Sequence, residues 1–293
     1  MPTSVTVRVP ATSANLGPGF DCLGLALEIW ATITLDRSGR VGNIDAMASM
    51  ALTAAGRVFS QCGDELPAGL NATFEGEIPI ARGLGASAVA RVGGALAANE
   101  IAGSPLDRDA LLGLVTELEG HADNVTPALF GGLQVSVVDS NRILHLGVPL
   151  HPDLRAVLFV PELRMPTKES RKLLPDHISR ADSVYNTGRA ALLVSALAAG
   201  RLDLLDAGTQ DRLHQKRRSK LFPAMFPLFE AAKGAGAHCA YLSGGGSTIC
   251  ALATANEQGI ADAMLEAARA RETPGRTIIT RPTAEGAEVV ETE

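Results

Sequence analysis

The sequence predicts an α+β protein with two domains. Val5, Val7 and Val9 alternate with polar residues, which is the period of a half-buried strand. Apolar residues at the helical 3–4 spacing follow between positions 47 and 58. Strands and helices then alternate along the chain without long parallel βαβ repeats, and this favours an α+β class over a doubly wound sheet.

The first half of the chain is expected to contain strands, three helices and a glycine-rich loop. Val5–Val9 would end at Pro10, and ATSANLGPGFDCLG (11–24) would be a loop before a strand over 23–35 and a turn at 37–40. A helix over 47–58 would close at Cys62-Gly63. Further elements are expected as a strand at 70–74, helices at 86–101 and 104–119, and strands at 133–138 and 143–148. Ser104 is the expected cap of the second of these helices, with Pro105 at its first position.

The second half begins near His151-Pro152-Asp153, which we take as the boundary between domains 1–152 and 153–293. Its fully apolar first strand covers 156–160. The remaining elements are expected as helices at 184–199, 202–207, 226–233 and 257–270, and strands at 241–242, 249–253 and 277–279.

Composition limits the function classes. The chain has 293 residues, 46% hydrophobic and 20% charged, and a net charge of −6. The acidic balance argues against a partner with a nucleic-acid backbone, which needs a basic face. The longest apolar run, 190–199, is far short of the roughly 20 residues that span a membrane. No signal peptide is visible, and four cysteines without a CxxC pair are typical of reduced thiols, so we expect a cytoplasmic protein.

The stretch EIPIARGLGASAVARVGG (77–94) has the character of an anion-binding loop. A helix N-terminus carries unpaired N–H donors and roughly half a positive charge, which suit a phosphate group. Gly83 and Gly85 permit positive φ and close backbone approach, and Ser87 adds a hydroxyl.

Three interpretations of this loop compete. GLGASA (83–88) fits the dinucleotide fingerprint G-x-G-x-x-A, but Pro79 and Arg82 disrupt the strand that must precede it. A Walker loop would need GKS or GKT, which is absent. The third interpretation is a tight turn that binds no ligand.

Four motifs together resemble the GHMP family of small-molecule kinases. PIARGLGASAV (79–89) resembles the phosphate-binding motif of that superfamily, and YLSGGGSTICAL (241–252) resembles its glycine-rich third motif. VPATSANLGPGFDCLGLAL (9–27) and EGHADNVTPALFGG (119–132) resemble the first and central motifs of homoserine kinases. The matches occur in family order and span most of the chain.

The resemblance implies ATP- and Mg²⁺-dependent phosphorylation of the L-homoserine hydroxyl, which gives O-phospho-L-homoserine for threonine biosynthesis. It also implies an N-terminal ATP-binding domain like ribosomal protein S5 domain 2, a ferredoxin-like C-terminal domain, a site between them, and a homodimer. Alternatives are another kinase of the superfamily, acting on an isoprenoid precursor, and a catalytically silent binding relative.

The resemblance also implies the residues that bind nucleotide and metal. Ser87 and Glu119 would hold Mg²⁺, with Glu117 as the alternative, since residues two apart do not share a helix face. The expected ATP-binding residues are Pro79, Ile80, Ala81, Arg82, Gly83, Leu84, Gly85, Ala86, Ser87, Ala88, Val89, Gly244 and Gly245. The family usually has two serines where this chain has Ala86-Ser87, and SGSGPT where it has SGGGST.

The substrate pocket follows from the same pattern and from the charges of a zwitterion. Asp21 would bind the ammonium group and Asn15 the reacting hydroxyl, so that Asn15, Ser87 and Glu119 form the catalytic set. Two arginine forks suit the carboxylate. The carboxylate and pocket residues are expected to be Arg171, Arg218 (with Arg217 as the alternative), His121 and Asn124. We expect no dedicated base, and a chiefly structural role for Asp123.

Overall fold

The computed structural model describes residues 2–38, 45–140 and 142–293, so Gly39 and Arg40 of the expected turn lie outside the described residues. The strands are β1 Ser4–Asn15, β2 Gly19–Asp36, β3 Asn71–Gly76, β4 Leu133–Asp139, β5 Arg142–Val148, β6 Arg155–Pro161, β7 Cys239–Leu242, β8 Ile249–Ala253, β9 Gly275–Thr280 and β10 Glu288–Thr292. The helices are α1 Ala46–Gln61, α2 Ala86–Ile101, α3 Arg108–Glu119, α4 Val125–Phe130, α5 Thr167–Arg171, α6 Arg180–Ala198, α7 Leu205–Gly208, α8 Gln215–Arg218, α9 Met225–Gly234 and α10 Glu257–Arg269.

The first sheet has the order β10-β1-β2-β4-β5, and β3 also pairs with β2. Helices α1 and α2 cover one face and pack closely on each other. Two glycines of α2 permit close packing: a Cβ at Gly94 would lie 2.3 Å from the Ala51 carbonyl of α1, and one at Gly93 would lie 2.6 Å from Ile33 of β2. The alanine- and glycine-rich stretch therefore forms the expected helix and is buried along most of its length.

The first strand does not end at Pro10, and this prediction is wrong. Strand β1 continues to Asn15, with a shift in register between Pro10 and Ala11. A bulge tolerates a proline because one residue there makes no ladder hydrogen bond. Most of the expected loop at 11–24 is consequently strand, and only 16–18 form the turn of a β1–β2 hairpin.

The expected cap of α3 is also wrong, although its end is confirmed. Ser104 lies in a turn with φ 58°, and the helix begins at Arg108. Its cap is Asp107, whose side chain accepts the Ala110 N–H at 2.8 Å. The helix ends at Glu119, followed by Gly120 in the left-handed conformation.

The second sheet confirms the predicted α+β class. Its order is β7-β8-β6-β9, all pairs are antiparallel, and α9 and α10 pack beside it. In chain order these elements run β6-α9-β7-β8-α10-β9, which is the ferredoxin-like β-α-β-β-α-β arrangement. Among the described helices, none combines the length and apolarity needed to cross a membrane.

The last strand returns to the first sheet. Strand β10 pairs antiparallel with β1, with Val5 opposite Thr292 and Arg8 opposite Glu288. This strand was not predicted, because its five residues carry two charges and little apolar periodicity. The boundary after residue 152 falls between β5 and β6 and stays a prediction, since the C-terminal segment contributes to both sheets.

Candidate active site

A cavity of about 240 Å³ lies where the glycine loop, the β1–β2 hairpin and the 243–248 loop meet. Helices α5 and α8 each contribute an arginine to its wall. The predicted site residues that line it are Asn15, Asp21, Ile80, Ala81, Gly83, Leu84, Gly85, Ala86, Ser87, Glu119, His121, Asn124, Arg171, Arg218, Gly244 and Gly245. Four motifs that are far apart in sequence therefore share one cavity.

The geometry of the glycine loop leaves the N-terminus of α2 without a side-chain cap. Gly85 caps α2 with φ 71° and has no side chain to bond the first-turn N–H groups. These donors are left for a ligand, and the helix dipole favours an anion there. Gly83 has φ 79°, and a Cβ on it would lie 2.2 Å from the Ser243 carbonyl. Both glycines are therefore required by the backbone.

Hydrogen bonds from the neighbouring segments fix the glycine loop. The Thr12 N–H donates to the Leu84 carbonyl at 3.2 Å, and the Thr248 N–H donates to the Arg82 carbonyl at 2.9 Å. The Ser243 hydroxyl donates to the Gly83 carbonyl at 2.6 Å. The orientation of the loop thus depends on β1 and on the 243–248 loop.

Asn15 and Asp21 stand at the two sides of the hairpin turn. Both have left-handed backbone, with φ 70° and 59°, which asparagine and aspartate tolerate better than most residues. The Asn15 side chain accepts the Asp21 N–H at 3.0 Å and donates to the Gly244 carbonyl at 2.9 Å. Asn15 therefore joins the hairpin to the 243–248 loop and also faces the cavity.

Ser87 and Glu119 meet at the start of α2. The Ser87 hydroxyl donates to Glu119 Oε1 at 2.5 Å, and Arg91 bonds the other carboxylate oxygen. Glu117 instead pairs with Arg57 on the exposed surface and does not line the cavity. Of the two candidate acids, Glu119 is the one beside the glycine loop. The hydroxyl and carboxylate oxygens are hard donors of the kind that Mg²⁺ prefers.

The central motif forms a small polar network. His121 Nδ1 and Asp123 Oδ1 are 2.5 Å apart, and the Asn124 amide also donates to Oδ1, at 3.1 Å. The Thr12 hydroxyl donates to the Asn124 side-chain oxygen at 2.8 Å. Among the described residues, Asp21, His121 and Asp123 form one group whose ligand atoms lie within 4.8 Å of one another and are able to hold a cation.

Arg171 and Asp21 form an ion pair across the cavity. Both guanidinium ends are used: Nη1 donates to Oδ2 at 2.9 Å and Nη2 to Oδ1 at 2.5 Å. Burial acts to lower the pKa of Arg171, but the bond to Asp21 and the charges of Asp21 and Asp123 raise it above its usual value. The residues predicted for the ammonium and the carboxylate of the substrate thus bind each other.

Arg218 is buried, with 1% of its surface exposed, and Arg217 does not line the cavity. Arg218 Nη1 is 3.0 Å from the Gly244 carbonyl and 3.0 Å from His214 Nδ1. Its Nε has no partner among the described residues. Burial, followed by the charge of Arg171, lowers the Arg218 pKa to about 10, so the group stays a cation at neutral pH.

The structure does not bring four of the predicted nucleotide-binding residues to the cavity. Pro79 and Arg82 line a neighbouring cavity of about 520 Å³, and Arg82 donates to the Pro161 and Glu162 carbonyls at 2.7 Å. Ala88 and Val89 are fully buried in the hydrophobic core. Their places in the motif reflect the packing of α2 and the support of the loop.

Sequence reasoning missed several residues that line or support the cavity. Phe20, Met47, Met50 and Pro166 line it, and His214 holds Arg218 from behind. Phe20 lies next to Asp21, which was a usable signal. The helical spacing of Met47 and Met50 indicated only a core face, and no local pattern distinguished His214.

Two family models match separate segments of the chain. The model described as the GHMP kinases N terminal domain matches residues 49–132, and the one described as GHMP kinases C terminal matches residues 193–271. The matched segments contain the glycine loop with the central motif, and the 243–248 loop, respectively.

Curated relatives agree with these models. A homoserine kinase of Caldanaerobacter subterraneus subsp. tengcongensis is 44% identical over 261 residues, which cover 85% of this chain and 83% of that protein. A homoserine kinase of Desulfitobacterium hafniense is 37% identical over 297 residues, which cover 98% of this chain and 100% of that protein.

Solved structures extend the comparison to the fold. A homoserine kinase from Cytophaga hutchinsonii superimposes with a TM-score of 0.87 at 28% identity, covering 99% of this chain and 98% of that one. A mevalonate kinase of L. major, at 17% identity, covers 97% of each chain with a TM-score of 0.66, which shows a shared fold alone. Together with the family models and the curated relatives, these matches confirm the resemblance seen in the sequence. The chain belongs to the GHMP kinases and, within them, to the homoserine kinase family.

Proposed function

We propose that this protein transfers the γ-phosphoryl group of ATP to the hydroxyl of L-homoserine, giving O-phospho-L-homoserine and ADP. The observation that carries the proposal is the shared cavity. It joins a helix N-terminus suited to phosphate with an acid and two arginines suited to an amino acid. Relatives at 37–44% identity that are named homoserine kinase support this substrate.

The substrate would be held at both of its charges. Asp21 would bind the ammonium group, and Arg218 and Arg171 the carboxylate. The buried Nε of Arg218, which has no partner among the described residues, supports this role, because a guanidinium edge suits bidentate binding of a carboxylate. The Arg171–Asp21 pair would have to share its bonds with the zwitterion, which offers one opposite charge to each partner.

The nucleotide would be held by the glycine loop. Its first-turn N–H groups and the Gly244-Gly245 backbone would bind the phosphates. Ser87 and Glu119 would hold Mg²⁺, which would supply positive charge to neutralise the phosphate groups. Arg91 bonds one Glu119 oxygen, which leaves the oxygen shared with Ser87 for the metal.

The transfer would depend on position more than on a base. The substrate hydroxyl oxygen would attack the γ-phosphorus, the bond from that phosphorus to the bridging oxygen of ADP would break, and the hydroxyl proton would pass to an oxygen of the transferred phosphoryl group. In a loose transition state, alignment and charge neutralisation account for most of the catalysis. Asn15, a neutral hydrogen-bonding group, would orient the hydroxyl.

Asp123 is the carboxylate that a base mechanism would require, and we infer a structural role for it. Its Oδ1 is bonded by both His121 and Asn124, which commits it to holding these two side chains. We expect Asp123→Asn to lower kcat by no more than about tenfold, since one polar contact is weakened but not lost. A loss of several orders of magnitude in kcat, with an unchanged thermal unfolding profile, would contradict this role.

The phosphate donor, the cellular location, the oligomeric state and the pathway of this protein are also inferred. We infer that Mg²⁺-ATP is the phosphate donor, that the protein is a cytoplasmic homodimer, and that its product serves threonine biosynthesis. The family resemblance supports each of these. Chromatography with light scattering would test the oligomeric state, and omission of Mg²⁺ from the assay would test the metal.

One assay tests the proposed reaction. ADP release is measured with Mg²⁺-ATP and L-homoserine, with mevalonate and with no acceptor. We expect release that depends on homoserine. Release with mevalonate alone would favour the isoprenoid-kinase alternative, and no acceptor-dependent release would favour the silent relative.

A further inference from the structure

We infer that His214 is a positioning residue that holds the Arg218 guanidinium in place for the substrate carboxylate. This inference rests on the proposed function and adds to it a residue outside the sequence motifs. His214 does not line the cavity and would act through Arg218, which it contacts.

The hydrogen bonds of His214 determine which ring nitrogen carries the proton. Nδ1 lies 3.0 Å from Arg218 Nη1, and Nε2 lies 2.7 Å from the Gly17 carbonyl oxygen. A guanidinium has no acceptor and a carbonyl has no donor. Nδ1 must therefore be a bare acceptor and Nε2 must carry the hydrogen, which makes the ring neutral.

The surroundings of the ring favour this neutral form. His214 is fully buried, and burial is the main cause that lowers its pKa to about 4. Arg218 lowers this pKa further, while Asp211, Gly17 and Asp21 act in the opposite sense. Asp211 Oδ2 lies 3.9 Å from Nε2, but its oxygens accept the backbone N–H groups of residues 213–215.

The ring connects two elements that both contribute to the substrate site. Gly17 lies in the turn of the β1–β2 hairpin, between Asn15 and Asp21, and Arg218 ends α8. The hairpin turn is held closely, because a Cβ on Gly17 would lie 2.0 Å from the Thr209 carbonyl. His214 therefore fixes the distance between the hairpin, which carries the ammonium site, and the arginine that would receive the carboxylate.

Arg218 depends on this support because its other neighbours do not fix the whole fork. Among the described residues, its side chain bonds Gly244 and His214, and both bonds use Nη1. The Phe20 ring centre lies 5.5 Å from the guanidinium carbon and does not select an in-plane orientation. With the His214 bond lost, the guanidinium would rotate about its remaining bond to Gly244, and its free edge would no longer face one direction.

Three substitutions separate the two bonds of the ring. In His214→Asn the amide oxygen occupies the region of Nδ1 and keeps an acceptor for Arg218. In His214→Gln the amide nitrogen occupies the region of Nε2 and keeps a donor for Gly17. His214→Phe retains the volume and loses both bonds. His238→Asn is the control, since His238 bonds Thr254 and does not line the cavity.

The experiment compares L-homoserine with 3-aminopropan-1-ol, the same molecule without its carboxylate, as a competitive inhibitor. We expect His214→Phe to raise the KM for L-homoserine about tenfold or more. The KM for ATP and the inhibition constant of the amino alcohol should change less than twofold. His214→Asn should restore most of the homoserine KM, while His214→Gln should not.

Two results would overturn the inference. One is an equal weakening of homoserine and the amino alcohol, which would indicate a general structural role for the ring. The other is an unchanged homoserine KM in His214→Phe with the thermal unfolding profile of the parent. The parent protein is assayed with homoserine before any variant is made. If it releases no ADP, the proposed function is wrong, and the role of His214 is not what has failed.

Discussion

The charged side chains in and beside the cavity are bonded to partners of opposite charge or to hydrogen-bond donors. Asp21 pairs with Arg171, and Glu119 is bonded by Ser87 and Arg91. Each pair satisfies a charge that would be costly to leave alone in a partly buried place. The function of each residue is therefore best tested by substitutions that change one partner and keep its volume.

Ser87 is the hydroxyl that the glycine loop retains where the family usually has two. Ser87→Ala removes its bond to Glu119 and one of the oxygen ligands that we propose for Mg²⁺. A hydrogen bond to a charged group contributes about 1.5–3 kcal/mol, so we expect kcat/KM for Mg²⁺-ATP to fall roughly 10- to 100-fold. Initial rates at varied Mg²⁺-ATP measure this, with the exposed Ser60→Ala as control. Unchanged turnover would remove Ser87 from the nucleotide site.

Arg218 and Arg217 offer a matched comparison because they are adjacent on α8. Arg218→Lys keeps a cation but loses the planar fork, so we expect the KM for L-homoserine to rise about tenfold or more. Arg217→Lys should leave it within about twofold, since Arg217 does not line the cavity. Steady-state kinetics at saturating ATP measure both values. The reverse order of effects would transfer the carboxylate role to Arg217.

At the scale of elements, α2 and its preceding loop form the part of the site that is most local in sequence. The loop is nevertheless held by β1 and the 243–248 loop, so its shape depends on three segments. The sequence predicted both ends of α2, from Ala86 to Ile101, because the loop's glycines and the alanine run are strong local signals. It placed β1 and the α3 cap wrongly, where a bulge and a turn override the local rule.

Gly85 tests the backbone conformation of this element. Its φ is 71°, and a Cβ would lie 1.9 Å from the Thr12 hydroxyl. We expect Gly85→Ala to lower the free energy of unfolding by about 1–2 kcal/mol or more and to weaken binding of a non-hydrolysable ATP analogue. A Cβ at Gly113 on α3 would meet no described atom within 4 Å, so Gly113→Ala should raise the free energy of unfolding by up to about 1 kcal/mol. Urea unfolding and calorimetry measure these values; equal effects of the two substitutions would contradict the prediction.

At the scale of the whole molecule, contacts between residues far apart in sequence hold the chain together. Strand β10 joins β1, and the Arg171–Asp21 pair links residues 150 positions apart. The His214 bond to Gly17 spans 197 positions. Such contacts couple the stability of the fold to the geometry of the cavity.

The buried His214 lets the link between fold stability and cavity geometry be measured as a pH dependence of the free energy of unfolding. Its pKa of about 4 in the folded protein lies below the ordinary 6.5, so the unfolded chain binds the proton more readily. Its contribution to stability is complete above pH 6.5 and is lost as the pH falls towards 4. When the pH is lowered from 7 to 5, we expect this residue to reduce the free energy of unfolding by roughly 2 kcal/mol. Urea unfolding of the parent and of His214→Asn should show a smaller drop in the variant; an equal drop would contradict a neutral buried ring.

The sequence by itself determined the α+β class, the glycine loop and the family, because these depend on local backbone demands and on motifs with a fixed order. Gly83 and Gly85 could be singled out from the sequence because both have a positive φ, which glycine adopts more readily than other residues. It left open whether Glu117 or Glu119 faces the loop and whether Arg217 or Arg218 faces the cavity.

Only the tertiary structure decided which of these neighbours points inward, that Asp21 binds Arg171, and that His214 supports Arg218. The physical reason is that these choices depend on burial and on partners far away in the chain. A side chain's direction on a helix is fixed by what packs against that helix, and no local pattern records the packing of segments that are distant in sequence.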